Sequence, residues 1–321
     1  MARVTSADVA REAGLSRATV SYVLNSDPRQ RIPEATRQRV LDAAARLEYT
    51  PYGPARLLRG APSRTVLLHT PSLATVAEPV GAHIVSALAD ALTSHGLQLL
   101  WQLGTPSAAM GGDLAPAVVL TSLGEHEAGF AELSAGFRVP VRSLFPGLDG
   151  FQASPGGAQV DHLIDRGHRR LAYAASDDPQ LERSSTLRQG AVLTRAEERG
   201  ITTPFVVAMP LERQAARSAL AALLSRDHPP TAVCAYNDHV AMAVLAAASD
   251  LGLSVPSDVA VIGVDDDPVA QLMTPALSSV RAELGDFVDE FAAEIAAGIV
   301  GSDSPEVKLP ASPVVVIRGS S

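Results

Sequence analysis

Between residues 4 and 25 the apolar positions recur at helical spacing in two short groups. Val9, Ala10 and Ala13 form one stripe; Val20, Val23 and Leu24 form the next. Thr5 stands where a cap is needed for the first group, with Asp8 three residues on to favour the positive helix end. Gly14 supplies a position that accepts positive φ, and Ser16 caps the second group. Arg17, Ala18, Ser21 and Tyr22 are left facing outward. The pattern predicts two short helices joined by a tight turn, the second presenting Arg and Tyr near its N-terminal end. That is the helix-turn-helix arrangement; a helical hairpin serving as a protein contact gives the same apolar pattern. Residues 33–47 predict a third helix, with Pro33 at its start and Val40, Leu41, Ala44 and Leu47 on one face.

Beyond residue 60 the pattern changes to short apolar runs alternating with amphipathic stretches. Strands are predicted at 66–69, 97–101, 117–121, 139–144, 170–174, 205–208, 232–235, 259–264 and 314–317. Helices are predicted near 80–95, 156–166, 187–199, 211–226, 239–251 and 287–299. Such alternation implies an α/β fold of parallel sheets with helices on both faces, and the length suits two halves. Residues 104–116, rich in Gly, Ala and Pro, read as a loop.

Charge divides the chain in the same place. Residues 1–60 carry ten arginines against six carboxylates, net +4; the remainder carries sixteen basic and twenty-nine acidic groups, net −13. An acidic protein still binds DNA through a local basic block, because charges beyond about 8 Å are screened. The single cysteine, Cys234, sits in an apolar run and reads as a core residue. No run of 18 apolar residues and no signal-peptide pattern occurs, so a cytoplasmic protein without a membrane partner is expected. No nucleophile elbow, phosphate loop, dinucleotide fingerprint or zinc spacing is present, so neither an enzyme nor a cofactor is expected. His162 and His168 read as scaffold, and the run Asp265, Asp266, Asp267 as a polar turn rather than a metal site.

The first 60 residues resemble the DNA-binding headpiece of the LacI/GalR family of bacterial transcription regulators. The matching pieces are V-T-x-x-D-V-A-x-x-A-G-x-S-x-x-T-V-S-x-V-L-N from Val4 to Asn25, R-x-x-V-x-x-A-A-x-x-L-x-Y from Arg37 to Tyr49, and the Pro51…Ala55-Arg56-x-Leu58 hinge. The resemblance implies a headpiece and hinge helix over 1–60 and an effector-binding and dimerisation body over 61–321. It places Thr5, Ser16, Arg17, Ala18, Thr19, Ser21, Tyr22 and Asn25 on DNA, with Arg17, Ala18 and Tyr22 as the variable base readers. Arg suits guanine O6 and N7, a contact worth about 1–3 kcal/mol of discrimination, and Ala18 suits a thymine methyl. Tyr22 either meets the DNA or packs on the third helix. Ala55, Arg56 and Leu58 belong to the hinge, where Leu58 matches the family's minor-groove wedge. Tyr52 replaces the family's frequent Asn, and Gly53-Pro54 is unusual there, so the hinge helix is expected to start at about Pro54 and be short.

The body resembles the family's two-subdomain, periplasmic-binding-protein-like effector domain, most closely over 162–175, 229–266, 274–281 and 314–320. Asn237 and Asp265 match positions that commonly hydrogen-bond the ligand; Arg183 and Arg188 are the candidates for its clasping arginine, which itself falls on Leu187. Asp238 reads as the cap of the helix at 239–251. The first half departs: Glu78-Pro79-Val80-Gly81 replaces the family's Asn-Pro-aromatic stretch, residues 101–117 are short for a full helix, and Ser154-Pro155 replaces its Asp-Asn. The expected function is therefore a sequence-specific DNA-binding regulator, a repressor acting as a homodimer on a near-palindromic operator. Its small-molecule effector (sugar, nucleoside or other) is atypical or its response lost. The alternatives are a regulator whose body only dimerises, and a solute-binding protein or enzyme sharing the body.

Overall fold

The computed structural model describes residues 4–24, 31–49, 63–71, 79–104, 115–125, 128–144, 149–284, 286–302, 307 and 312–321. The hinge residues Ala55, Arg56 and Leu58, together with Asn25 and Glu78, lie outside the described residues. The chain divides into two compact units, Met1–Ser63 and Arg64–Ser321.

The first unit holds three helices: α1 (Ser6–Ala13), α2 (Arg17–Leu24) and α3 (Glu34–Arg46). They close on a small core of Val9, Ala10, Ala13, Val20, Val23, Val40, Ala43 and Ala44. Leu41 does not belong to it. It is 43% exposed, because the buried stripe of α3 runs through 40, 43 and 44 and position 41 is turned about 100° away. Glu12 and Arg46 tie α1 to α3 at 3.1 Å.

The second unit carries two sheets. The first is built from β1 (Thr65–Thr70), β2 (Gln98–Leu103), β3 (Val118–Thr121) and β4 (Val141–Ser143), all parallel, in the order β2-β1-β3-β4. Helices α4 (Pro79–Ser94) and α5 (Ala128–Ala135) accompany it. Next come α6 (Asp149–Asp165), β5 (Leu171–Ser176), α7 (Glu182–Glu198), β6 (Phe205–Met209), α8 (Arg213–Leu224), β7 (Ala232–Ala235), α9 (Asp238–Asp250), β8 (Ala260–Val264) and β9 (Ser278–Arg281). They are followed by α10 (Phe287–Val300) and β10 (Val314–Val316). The second sheet runs β10-β9-β8-β7-β5-β6, parallel except for β10.

The chain crosses between the sheets three times. It passes from β4 to α6, whose Val160 and Leu163 lie in the second core. It returns from β9 to α10, whose Phe287, Phe291 and Ile295 pack with Val66, Leu68 and Leu88 of the first. Arg142 of β4 fixes α10 there by a 2.9 Å pair with Glu294 and by lying 5.6 Å over Phe291. The third crossing leads back into β10.

Two elements have no counterpart among the expected ones, α5 and β9. The buried residues of β9 include Ser278 and Ser279, so no apolar run marks it. α6 also begins earlier than the expected 156 and runs through Pro155. Gly156 permits close packing of α6 on α7: a Cβ there would lie 2.6 Å from the Arg188 carbonyl oxygen. No helix among the described residues is long and apolar enough to cross a membrane.

Candidate functional site

In the first unit the two turns that orient α2 are built as the residue types require. The Asp8 carboxylate accepts from the Thr5 backbone N–H at 2.9 Å and its hydroxyl at 2.7 Å, and it pairs with Arg11. The Thr5 bonds, with Arg11 beside them, hold Asp8 below the usual carboxylate range. Gly14 stands at φ +63°, and Leu15 N–H reaches the Ala10 carbonyl at 2.9 Å, closing α1. Ser16 Oγ accepts the Thr19 N–H at 3.1 Å and lies 2.9 Å from Thr19 Oγ1, so both side chains serve the start of α2.

The outward face of α2 is then Arg17 and Ala18, both exposed, with Tyr22 38% exposed and Ser21 half-buried. Arg11, Arg37 and Arg46 carry carboxylate partners, whereas Arg17, Arg31 and Arg39 have none among the described residues. An unpaired guanidinium on a rigid helix, beside two helix N-termini that offer backbone N–H groups, suits phosphates and a guanine edge.

In the second unit, ligands of such sheets gather outside the carboxyl ends of the strands. The ends of β5, β7 and β8 bring together Arg188, Tyr236, Asn237 and Asp265. Arg188 is buried on α7, donates to the Tyr236 carbonyl, and lies 4.8 Å over the Tyr236 ring. The Tyr236 hydroxyl reaches Ser184 Oγ at 2.8 Å. Arg183 lies exposed in the first turn of α7. Asn237 Oδ1 accepts the Val240 N–H at 2.9 Å and is the cap of α9. The cap is thus Asn237 and not Asp238, which is the first helical residue and points into the fold.

Asp265 follows β8 at φ +101° and Asp266 at φ +56°, two consecutive non-glycine residues in a sparsely populated region. Burial raises the Asp265 carboxyl, and the positive charges of Arg188 and His239 draw it back. Its side chain makes no hydrogen bond to any described residue, and it is half-buried. The other two carboxylates of the run diverge from it. Asp266 pairs with Arg318 at 2.6 Å and Arg281 at 3.2 Å, while Asp267 pairs with His239 at 3.3 Å and accepts the Val269 N–H at 2.7 Å.

At the ends of β1 and β3, His69 is buried with Nδ1 3.2 Å from Thr121 Oγ1 and Nε2 2.9 Å from the Gly104 carbonyl. The carbonyl takes the Nε2 proton, so Nδ1 accepts from Thr121; burial holds the ring below the usual imidazole range. Neither His69 nor Tyr236 carries a local sequence signal, since each is defined by a partner 52 residues away. His162 and His168 serve as scaffold, bonded to Ser321 and Thr231. Cys234 is fully buried in β7, and burial pushes its thiol up, away from reactivity.

Comparison with known proteins matches two stretches of the chain. Residues 5–52 match the family described as bacterial regulatory proteins, lacI family, and residues 160–321 match the periplasmic binding protein-like domain. The HTH-type transcriptional regulator reg1 of Streptomyces lividans is 30% identical over 341 residues, covering 98% of this chain and 96% of that protein. Among solved structures, the lac repressor dimer bound to operator and the anti-inducer ONPF superposes with a TM-score of 0.79 at 22% identity, covering 99% of each chain. The transcriptional regulator CelR in complex with cellobiose superposes with a TM-score of 0.67 at 27% identity, covering 99% of this chain and 100% of that one.

Proposed function

The chain belongs to the lacI family of bacterial regulatory proteins and is a sequence-specific DNA-binding transcriptional regulator, not an enzyme; from that premise we propose that it is a cytoplasmic repressor acting as a homodimer on a near-palindromic operator. One headpiece spans only a short half-site, so two-fold symmetry in the protein calls for two-fold symmetry in the DNA. Residues 1–60 act as headpiece and hinge, and residues 61–321 as the dimerising, effector-binding body. The observation that carries the reading is the outward face of α2: Arg17, Ala18 and Tyr22 stand exposed on a helix whose Val20 and Val23 are buried in the core.

Thr5, Ser16 and Thr19 lie at the helix starts and meet phosphates; Ser21 and Asn25 are further DNA contacts. Ala55, Arg56 and Leu58 form the hinge, with Leu58 as wedge. The lac repressor, by its name, represses, and CelR binds cellobiose; by analogy the body takes a small polar ligand on Asp265, with Arg183, Arg188 and Asn237 as further contacts. The test is genomic binding-site selection with the purified protein. A palindromic motif beside a coherent set of genes is expected; folded, dimeric protein that enriches no motif sinks the proposal.

A second reading, in which the body dimerises without responding to an effector, is favoured by one observation. Arg188 and Asn237 already serve the Tyr236 carbonyl and the α9 cap. A ligand on these two side chains is left with the remaining N–H donors, since the Asn237 amide oxygen and one Arg188 nitrogen are already engaged. Calorimetry against a panel of pentoses and hexoses separates the two: low-micromolar binding of any of them excludes the effector-free reading.

A further inference from the structure

Asp238 is a buried carboxylate that neither DNA nor ligand contact accounts for. Its Oδ2 accepts the backbone N–H of Asp267 at 2.7 Å, and its Oδ1 accepts the hydroxyl of Ser279 at 2.6 Å. Ser279 Oγ in turn accepts the N–H of Asp266 at 3.0 Å. One side chain on α9 thus secures the turn 265–267, directly and through Ser279. That turn contains the two residues at positive φ. Without such bonds a turn of that shape relaxes. Asp266 continues the chain of contacts to Arg281, the last residue of β9, and to Arg318, just beyond β10. These are the strands by which the chain leaves for α10 and returns.

We propose that Asp238 is a positioning residue of the effector site: by fixing the 265–267 turn in its ionised form it aims Asp265 and keeps Asp266 on the arginines of the crossing strands. The part concerning Asp265 rests on reading that residue as an effector contact; the turn itself does not depend on it.

The requirement for the ionised form follows from the donors. Both oxygens of Asp238 accept. A proton on Oδ1 reverses the bond to Ser279, and a proton on Oδ2 sets O–H against the Asp267 N–H; either way the charge-assisted bonds that hold the turn are weakened. The groups facing Asp238 are mostly acidic. The turn brings Asp265, Asp266 and Asp267, of which Asp266 is offset by Arg281 and Arg318, while Asp267 lies 3.3 Å from the imidazole of His239 on α9 itself. Arg188 of α7 acts on Asp265, and α6 contributes only the neutral amide of Gln159, bonded to the Gly263 carbonyl at 3.2 Å. Burial, with Asp265 and Asp266 adding to it, outweighs the two accepted bonds and pushes Asp238 up to about 7. Its titration is thereby brought from the acid range towards neutral pH.

The test is hydrogen exchange on the full chain without effector, comparing wild type, Asp238→Asn and Ser279→Ala at pH 6 and pH 8 after correction for intrinsic rates. In wild type the amides of 266 and 267 are expected to be several-fold better protected at pH 8. Asp238→Asn is expected to lose that protection at both pH values, and with it the pH dependence. Ser279→Ala is expected to expose 266 and leave the pH dependence of 267. Equal wild-type protection at the two pH values, or wild-type protection in Asp238→Asn, overturns the proposal. If Asp238→Asn exchanges throughout β5, β7 and β8 it has unfolded, and Ser279→Ala decides: unchanged protection at 266 refutes the relay. The sugar panel reads Asp265 separately, so its failure removes the effector contact without touching the exchange result.

Discussion

Gly263, the fourth residue of β8, lies so close to Asp238 that a Cβ built on it would stand 2.0 Å from Asp238 Oδ1 and 3.1 Å from Asp238 Cα. The second distance matters most, because the obstructing atom is helix backbone. A side chain can turn aside, whereas α9 can yield only by lifting off the sheet. Gly263→Ala is therefore expected to lose at least the about 1–3 kcal/mol typical of overpacking. Urea unfolding of the full chain measures it. A variant as stable as wild type means that α9 shifts freely on β8.

Ser16→Ala removes the acceptor for the Thr19 N–H. Loss of an N-cap costs about 1 kcal/mol, and the small core of the first unit has little to offset it. The headpiece transition should move down in a calorimetric scan while the transition of the second unit stays in place. A headpiece unmoved by the change shows that Thr19 or water takes over the cap.

Arg17→Ala should act on recognition and leave stability alone. The side chain is exposed and unpaired among the described residues, so its removal costs the fold little. On DNA it removes about 1–3 kcal/mol of discrimination at one base pair per half-site. Binding-site selection with the variant should show that position relaxed and the others kept. An unchanged motif assigns the readout to Ala18 and Tyr22.

The headpiece was legible because its signals are local. Thr5, Gly14 and Ser16 stand within a few residues of the helices they cap, and the apolar stripes are periodic. Leu41 reads as part of the α3 stripe because it is apolar and stands beside it, although 43% of it faces solvent. The parallel sheets were legible as apolar runs; β9 was not, because Ser278 and Ser279 are buried through their hydroxyl bonds. The sequence alone puts the cap of α9 one residue late, on Asp238, since Asn237 and Asp238 are both good caps. Only the fold reveals that one caps and the other holds a turn from 29 residues away. Arg188 over Tyr236 and His69 against Thr121 were invisible for the same reason.

Asp238 also sets a sign for stability against pH. Its folded value, about 7, lies above the ordinary carboxylate value of 3.8, so the folded chain holds this proton more tightly than the unfolded one. The contribution is then favourable below the ordinary range and is lost as pH rises towards 7. Asp8, Glu212 and Asp250 run the other way: their folded values are lowered, so their contribution is present above the ordinary range and lost as pH falls through the folded value. Subtracting the Asp238→Asn profile from wild type isolates the first effect. The difference should fall with rising pH between about 4 and 7; a flat difference shows that Asp238 titrates normally.

The stack of Arg188 on Tyr236 should be measurable as a coupling between two side chains rather than as a sum of losses. Arg188 donates to the Tyr236 backbone carbonyl and also covers its ring. Replacing Tyr236 with Leu removes the ring and keeps the carbonyl; replacing Arg188 with Met removes the charge and keeps an apolar stem. A double-mutant cycle over these changes therefore cancels the carbonyl bond and leaves the ring–cation term. Tyr236 is 3% exposed and Arg188 8%, so the pair is desolvated, and a coupling of about 2 kcal/mol is expected. Added salt should hardly reduce it, since buried charges are weakly screened. A coupling near zero means that the Tyr236 ring contributes nothing to holding Arg188.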